Sequence, residues 1–65
     1  MMAVTTIDIY NKEGNLVRIE AYKANGDFLM QFLWDERDEQ TSENRVEFRK
    51  WVTRHLKQSG YEVHE

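Results

Sequence analysis

Two histidines and a run of carboxylates are the residues of this chain that could do acid–base or metal chemistry. His55 and His64 stand nine apart with Glu62 between them. A histidine pair with a carboxylate is a metal-ligand set when its spacing puts the donors on one face, and this spacing matches no standard pattern. His55, beside Trp51 and Leu56, reads as a histidine at the rim of a core, and His64 as part of an exposed tail. Asp35, Glu36, Asp38 and Glu39 crowd together. Paired carboxylates bind divalent cations or shuttle protons when held in a concave, partly dry site. This run has neither a glycine pivot nor calcium-loop spacing, and it reads as a solvated connection. No Ser–His–acid set, glycine-rich phosphate loop or paired-cysteine motif is present. The reading is therefore non-catalytic, with no metal and no cofactor.

Two other residue sets suit binding. The first is aromatic. Tyr10, Tyr22, Phe28, Phe32 and Trp34, with Met30 and Arg18, are of the types enriched at protein interfaces. The second is cationic. Within 43–58, Arg45, Arg49, Lys50, Arg54 and Lys57 outnumber Glu43 and Glu47, although the whole chain carries −3. Residues 1–40 hold most of the acid, so the chain is electrostatically two-ended. Arg49, Lys50, Arg54 and Lys57 form the candidate nucleic-acid surface. An acidic whole disfavours generic DNA binding while leaving room for one basic face.

The elements that must position these residues begin with a repeated phrase. Tyr10-Asn-Lys-Glu-Gly14 is echoed twelve residues later by Tyr22-Lys-Ala-Asn-Gly26. Each copy ends a short polar loop on glycine between alternating apolar runs, the pattern of a three-residue hairpin loop closing on a left-handed residue. Counting back from Lys12-Glu13-Gly14 pairs Tyr10 with Leu16, Asp8 with Arg18 and Ile7 with Ile19. Counting back from Ala24-Asn25-Gly26 pairs Tyr22 with Phe28, Ala21 with Leu29 and Ile19 with Gln31. In that register Asp8–Arg18 and Lys23–Asp27 are cross-strand charge pairs. One face then carries Thr5, Ile7, Ile9, Val17, Ile19, Ala21, Leu29, Gln31 and Leu33 without a charge. The other carries the aromatic set with Asp8, Arg18 and Glu20.

After the acidic connection, Thr41-Ser42-Glu43 is a helix start, and Gly60 is the left-handed stop. Phe48, Trp51, Val52, His55, Leu56 and Ser59 gather on one helical side. Tyr61–Glu65 alternates again and is expected either to fray, the favoured reading, or to add a short strand to a sheet edge. The prediction is an α+β single domain, 1–65. A three-stranded antiparallel meander in order 1-2-3 packs on one C-terminal helix, which covers the Ile7/Ile19/Leu33 face. In element order this resembles the arm-binding domains of phage integrases, which read DNA through a basic sheet; the sheet here is acidic and no residue carries over.

Sixty-five residues bury only about 60% of their unfolded surface, so stability is expected to be a few kcal/mol. With no cysteine there is no disulfide, which fits a reducing, cytoplasmic setting. No apolar run reaches the ~20 residues of a membrane span. The function expected is a small interaction module of the accessory, regulatory or inhibitor kind found in bacteria and phages. It would bind itself (as a homodimer) or another protein through Tyr10, Arg18, Tyr22, Phe28, Met30, Phe32 and Trp34. The alternative is nucleic-acid binding through the helix.

Overall fold

The structure, a computed structural model, describes residues 2–64. Three strands follow one another as β1 (Met2–Tyr10), β2 (Leu16–Lys23) and β3 (Phe28–Leu33). Helix α1 (Ser42–Gln58) and a short β4 (Tyr61–His64) complete the chain. The sheet order is β3-β2-β1-β4. The meander 1-2-3 is thus present, but the sheet has four strands and is mixed, because β4 pairs with β1 in parallel. Of the two expectations for the tail, the edge strand is therefore the one that holds, and the favoured fraying is corrected. Gly60, at φ +92°, turns the chain back along the sheet, and Val63 comes level with Val4, where both meet the core.

Both glycine loops form as their sequences require. Gly14 N–H donates to Asn11 O and Gly26 N–H to Lys23 O, with φ of +82° and +92°. Nothing lies within 4 Å of where a Cβ would sit at Gly26, so a Gly26→Ala substitution meets only backbone strain. It should cost about 1 kcal/mol, read as a lowered denaturation midpoint. An unchanged midpoint would refute the positive-φ turn.

Beyond each loop the register departs from simple counting. Tyr10 opposes Leu16 as expected, but Ile9 then opposes Arg18, so Val17 is the extra residue of a β-bulge. Tyr22 opposes Phe28, but Ala21 opposes Met30, with Leu29 as the extra residue. A one-residue slip flips side chains between faces. The two slips cancel between β1 and most of β3, so residues 18–22 of β2, with Phe28 beyond the second bulge, change sides. Ile19, not Arg18, now opposes Phe32, and Asp8 opposes Ile19. The bulges thereby remove Arg18 and Glu20 from the aromatic face, and with them the charges that would keep a helix away.

The helix accordingly covers the aromatic face, which reverses the expected packing. Val4, Leu16, Ile19, Ala21, Phe32, Trp34, Val52 and Leu56 form the core. Trp34 meets Phe48 edge-on at 5.3 Å between centroids, and Phe32 meets Trp51 edge-on at 5.6 Å. Aromatic rings bury ~150–250 Å² each, more than an aliphatic side chain, which favours this face for the core. Ile7 and Leu33, expected beneath the helix, are 47% and 67% exposed. The charge pairing changes accordingly. Asp8 accepts from Arg49 Nε of α1 at 2.7 Å, and Arg18 instead binds Glu20 on its own strand at 2.8 Å.

Helix α1 is capped as its sequence directs: Thr41 Oγ1 accepts from Asn44 N–H at 3.1 Å, and Ser59 N–H returns to His55 O and Leu56 O. The connection before it is anchored by Gln40, which accepts from Leu16 N–H and donates to Leu16 O. No helix among the described residues is long and apolar enough to cross a membrane.

Candidate interaction surface

The face left open by the helix is built on the central strand pair. Alternation along β2 sends Arg18, Glu20 and Tyr22 outward, and their partners Ile9, Ile7 and Thr5 on β1 lie beside them. From β3, Leu33 and Gln31 stand opposite Arg18 and Glu20, and Phe28 stands opposite Tyr22. A polar stripe therefore runs down the middle, with Ile7 and Ile9 on one flank and Leu33 and Phe28 on the other.

The stripe is pre-ordered. Glu20 accepts from Arg18 Nε at 2.8 Å through one carboxylate oxygen and from Tyr22 OH at 2.6 Å through the other. Tyr22 also meets Phe28 edge-on at 5.7 Å. The three side chains hold fixed rotamers before any partner arrives, which lowers the ordering cost of binding. The Tyr22 hydroxyl, then the Arg18 guanidinium, hold the Glu20 carboxyl below its usual 4.5, and the same bond raises the Tyr22 hydroxyl. The unfolded chain takes up that proton near 4.5 and the folded chain only at lower pH. The Glu20 contribution to stability is therefore complete above 4.5 and is lost as pH falls through the lowered value. Asp35, gripped by Arg37 and held at about 2, adds a second loss at more acidic pH. Melting curves recorded from pH 5 to pH 2, ~1 unit apart, should show a smaller acid-induced decline for Glu20→Gln than for the wild type. An identical decline in both would remove the stripe from the account.

The residues expected to bind a partner are divided by the fold. Arg18, Tyr22 and Phe28 lie on the open face, and Phe28 is 53% exposed. Met30, Phe32 and Trp34 lie on the helix side; Phe32 and Trp34 are core residues, with Trp34 Nε1 donating to Asp38 O. Tyr10 sits at the rim between sheet and helix, where its hydroxyl accepts from Arg49 Nη2 at 2.9 Å. Ile7, Ile9 and Leu33 replace them on the open face. Their signal in the sequence was the interruption of the aromatic set by Arg18 and Glu20, which a bulge removes.

The cationic residues of α1 are also divided. Arg49 is engaged by Asp8 and Tyr10, and Lys50 stands 3.6 Å from Glu47 in an exposed pair. Among the described residues, Arg54 and Lys57 have no ion-pair partner. Among those residues, too, no three His, Cys, Asp or Glu side chains converge as metal ligands would. His64 faces Glu62 at 3.6 Å, and His55 stacks on Trp51 at 5.5 Å. Comparison with protein-family models, curated proteins and solved structures returned no match.

Proposed function

We propose that this chain is a small non-catalytic protein-interaction module that binds a protein partner through the open face of its sheet. The observation that carries this reading is the pairing of exposed hydrocarbon with a pre-ordered polar stripe. Ile7, Leu33 and Phe28 are about half exposed or more, and they flank Arg18–Glu20–Tyr22. That layout, apolar contact area around a fixed polar locator, is how protein interfaces combine affinity with orientation.

The test uses Ile7→Lys, which places a cation opposite Glu20 and should leave the fold intact. A protein captured by the wild type is identified, purified and rebound in a defined mixture. The reading expects Ile7→Lys to weaken that binding at least ~10-fold, the scale of a lost interface anchor. Equal binding by a folded Ile7→Lys would overturn the open face as the docking surface.

Arg54 and Lys57, without an ion-pair partner among the described residues, support a second reading, nucleic-acid binding along the outer surface of α1 beside Lys50 and Arg49. It expects affinity for DNA or RNA to fall steeply with salt and to drop in Arg54→Glu. No mobility shift at low salt would dispose of it.

A further inference from the structure

The two edges of the sheet are protected very differently. β4 closes one edge with four residues, including Glu62 and His64, and short charged strands discourage edge-to-edge pairing. β3 forms the other edge with Phe28-Leu-Met-Gln-Phe-Leu33, which has no charge, proline or glycine. Its bulge is confined to Leu29, leaving Met30–Leu33 regular. Trp34 N–H donates to Val17 O. By the alternation of an antiparallel ladder, Phe32 then bonds toward β2, while Gln31 and Leu33 point their N–H and C=O groups away from the sheet.

We infer that β3 pairs with β3 of a second copy of this chain, antiparallel and about a two-fold axis at Gln31, to make one continuous eight-stranded sheet. This goes beyond the reading of the open face, since it uses the edge. With Gln31 on the axis, the two Gln31 residues exchange backbone N–H···O bonds, and Met30 of each copy stands opposite Phe32 of the other, within the regular part of the strand. The two Gln31 side-chain amides meet on the open face, where each can donate to its mate. The pairing is isologous and closes at two copies, so it gives a dimer and not a fibre.

Charge and shape on the helix side agree with that axis. The contacts Trp34–Phe48 and Phe32–Trp51 show α1 running antiparallel to β3. Asp35, Asp38 and Glu47 therefore mark the C-terminal end of β3, around a cleft of about 380 Å³ that Trp34, Phe48 and Trp51 also line. Arg54 lies two turns beyond Glu47 on the same stripe of α1, toward the N-terminal end of β3. A two-fold sets each copy's acidic end against the other's Arg54. The helix backbone approaches β2 and β4 and reaches β3 mainly through aromatic side chains. Where α1 comes nearest β2, it would stand no closer to its mate than about three strand spacings, ~14 Å. That is wider than the ~8–10 Å of direct helix packing. The Trp51 rings, 47% exposed beside β3, are placed to fill the gap.

Sedimentation velocity from micromolar to millimolar protein tests this directly. The wild type should move with concentration toward twice its 7.9 kDa mass. Gln31→Pro removes an outward N–H that the monomer does not use, a position where edge strands accept proline; it should remain monomeric. Gln31→Lys, with β2 pairing untouched, should do the same and covers any failure of the proline variant to fold. In a chain without cysteine, Gln31→Cys should form a disulfide-linked dimer on mild oxidation. A wild type that stays at 7.9 kDa throughout, or a dimer that survives in a folded Gln31→Lys, would overturn the edge pairing. Ile7→Lys should leave the mass profile unchanged, so failure of the edge and failure of the open face are told apart.

Discussion

Replacing Phe32 with alanine should unfold much of the protein, while Leu33→Ala should leave its melting temperature nearly where it was. The two residues are neighbours in sequence, yet Phe32 is 8% exposed and Leu33 is 67% exposed. Phe32 lies opposite Ile19 and edge-on to both Trp51 and His55. Truncating it removes a ring from the middle of the sheet–helix interface, and the cavity cannot close without moving the helix. Such changes cost about 3–5 kcal/mol, comparable to the whole stability expected of a domain this size. Leu33→Ala removes carbons already in water and should stay within ~0.5 kcal/mol. Urea unfolding followed by circular dichroism separates them. Similar losses in both variants would mean that the two faces are not distinguished as described.

The second large effect concerns a side chain outside every strand and helix. Gln40 is expected to contribute about 2 kcal/mol, because two backbone groups of the fully buried Leu16 depend on it. Its Oε1 accepts from Leu16 N–H at 2.9 Å and its Nε2 donates to Leu16 O at 2.8 Å. Arg45 Nε, at 3.2 Å from the same oxygen, holds the amide in place. In effect the side chain extends the sheet where β3 has ended. Gln40→Ala leaves both groups unpaired, and Gln40→Glu leaves the Leu16 carbonyl facing a carboxylate. Both variants should lower the urea midpoint markedly. A loss below ~0.5 kcal/mol in Gln40→Ala would show that water replaces the amide without cost.

What was legible in the sequence follows the range of the forces involved. The two hairpin loops, the three strands of the meander, a helix start at Thr41-Ser42-Glu43 and Gly60 as the stop are local signals, and each stands where its residues put it. The bulges at Val17 and Leu29 are not local. They arise because Phe32 and Trp34 gain more from burial than Leu33 and Ile7, while Arg18 and Glu20 resist it. That balance exists only once the helix is present. Asp8 and Arg18 looked like a cross-strand pair for the same reason, and both find other partners once the slip is made. The alternation of β4 was visible, but a docked edge strand could not be told from a fraying tail, because its pairing with β1 is parallel and spans most of the chain. The candidate surface inherits these misses. Arg18, Tyr22 and Phe28 could be named from residue type alone, whereas Ile7 and Leu33 required knowing which side the helix takes.

Which residues face α1 decides both the core and the open surface, and nuclear Overhauser contacts measure this directly. The predicted spectrum connects the Trp34 indole to the Phe48 ring and the Phe32 ring to Trp51 and His55, with none from the Ile7 or Leu33 methyls to Val52 or Leu56. Contacts from those methyls to Val52 and Leu56, with Phe32 and Trp34 free of the helix, would contradict it.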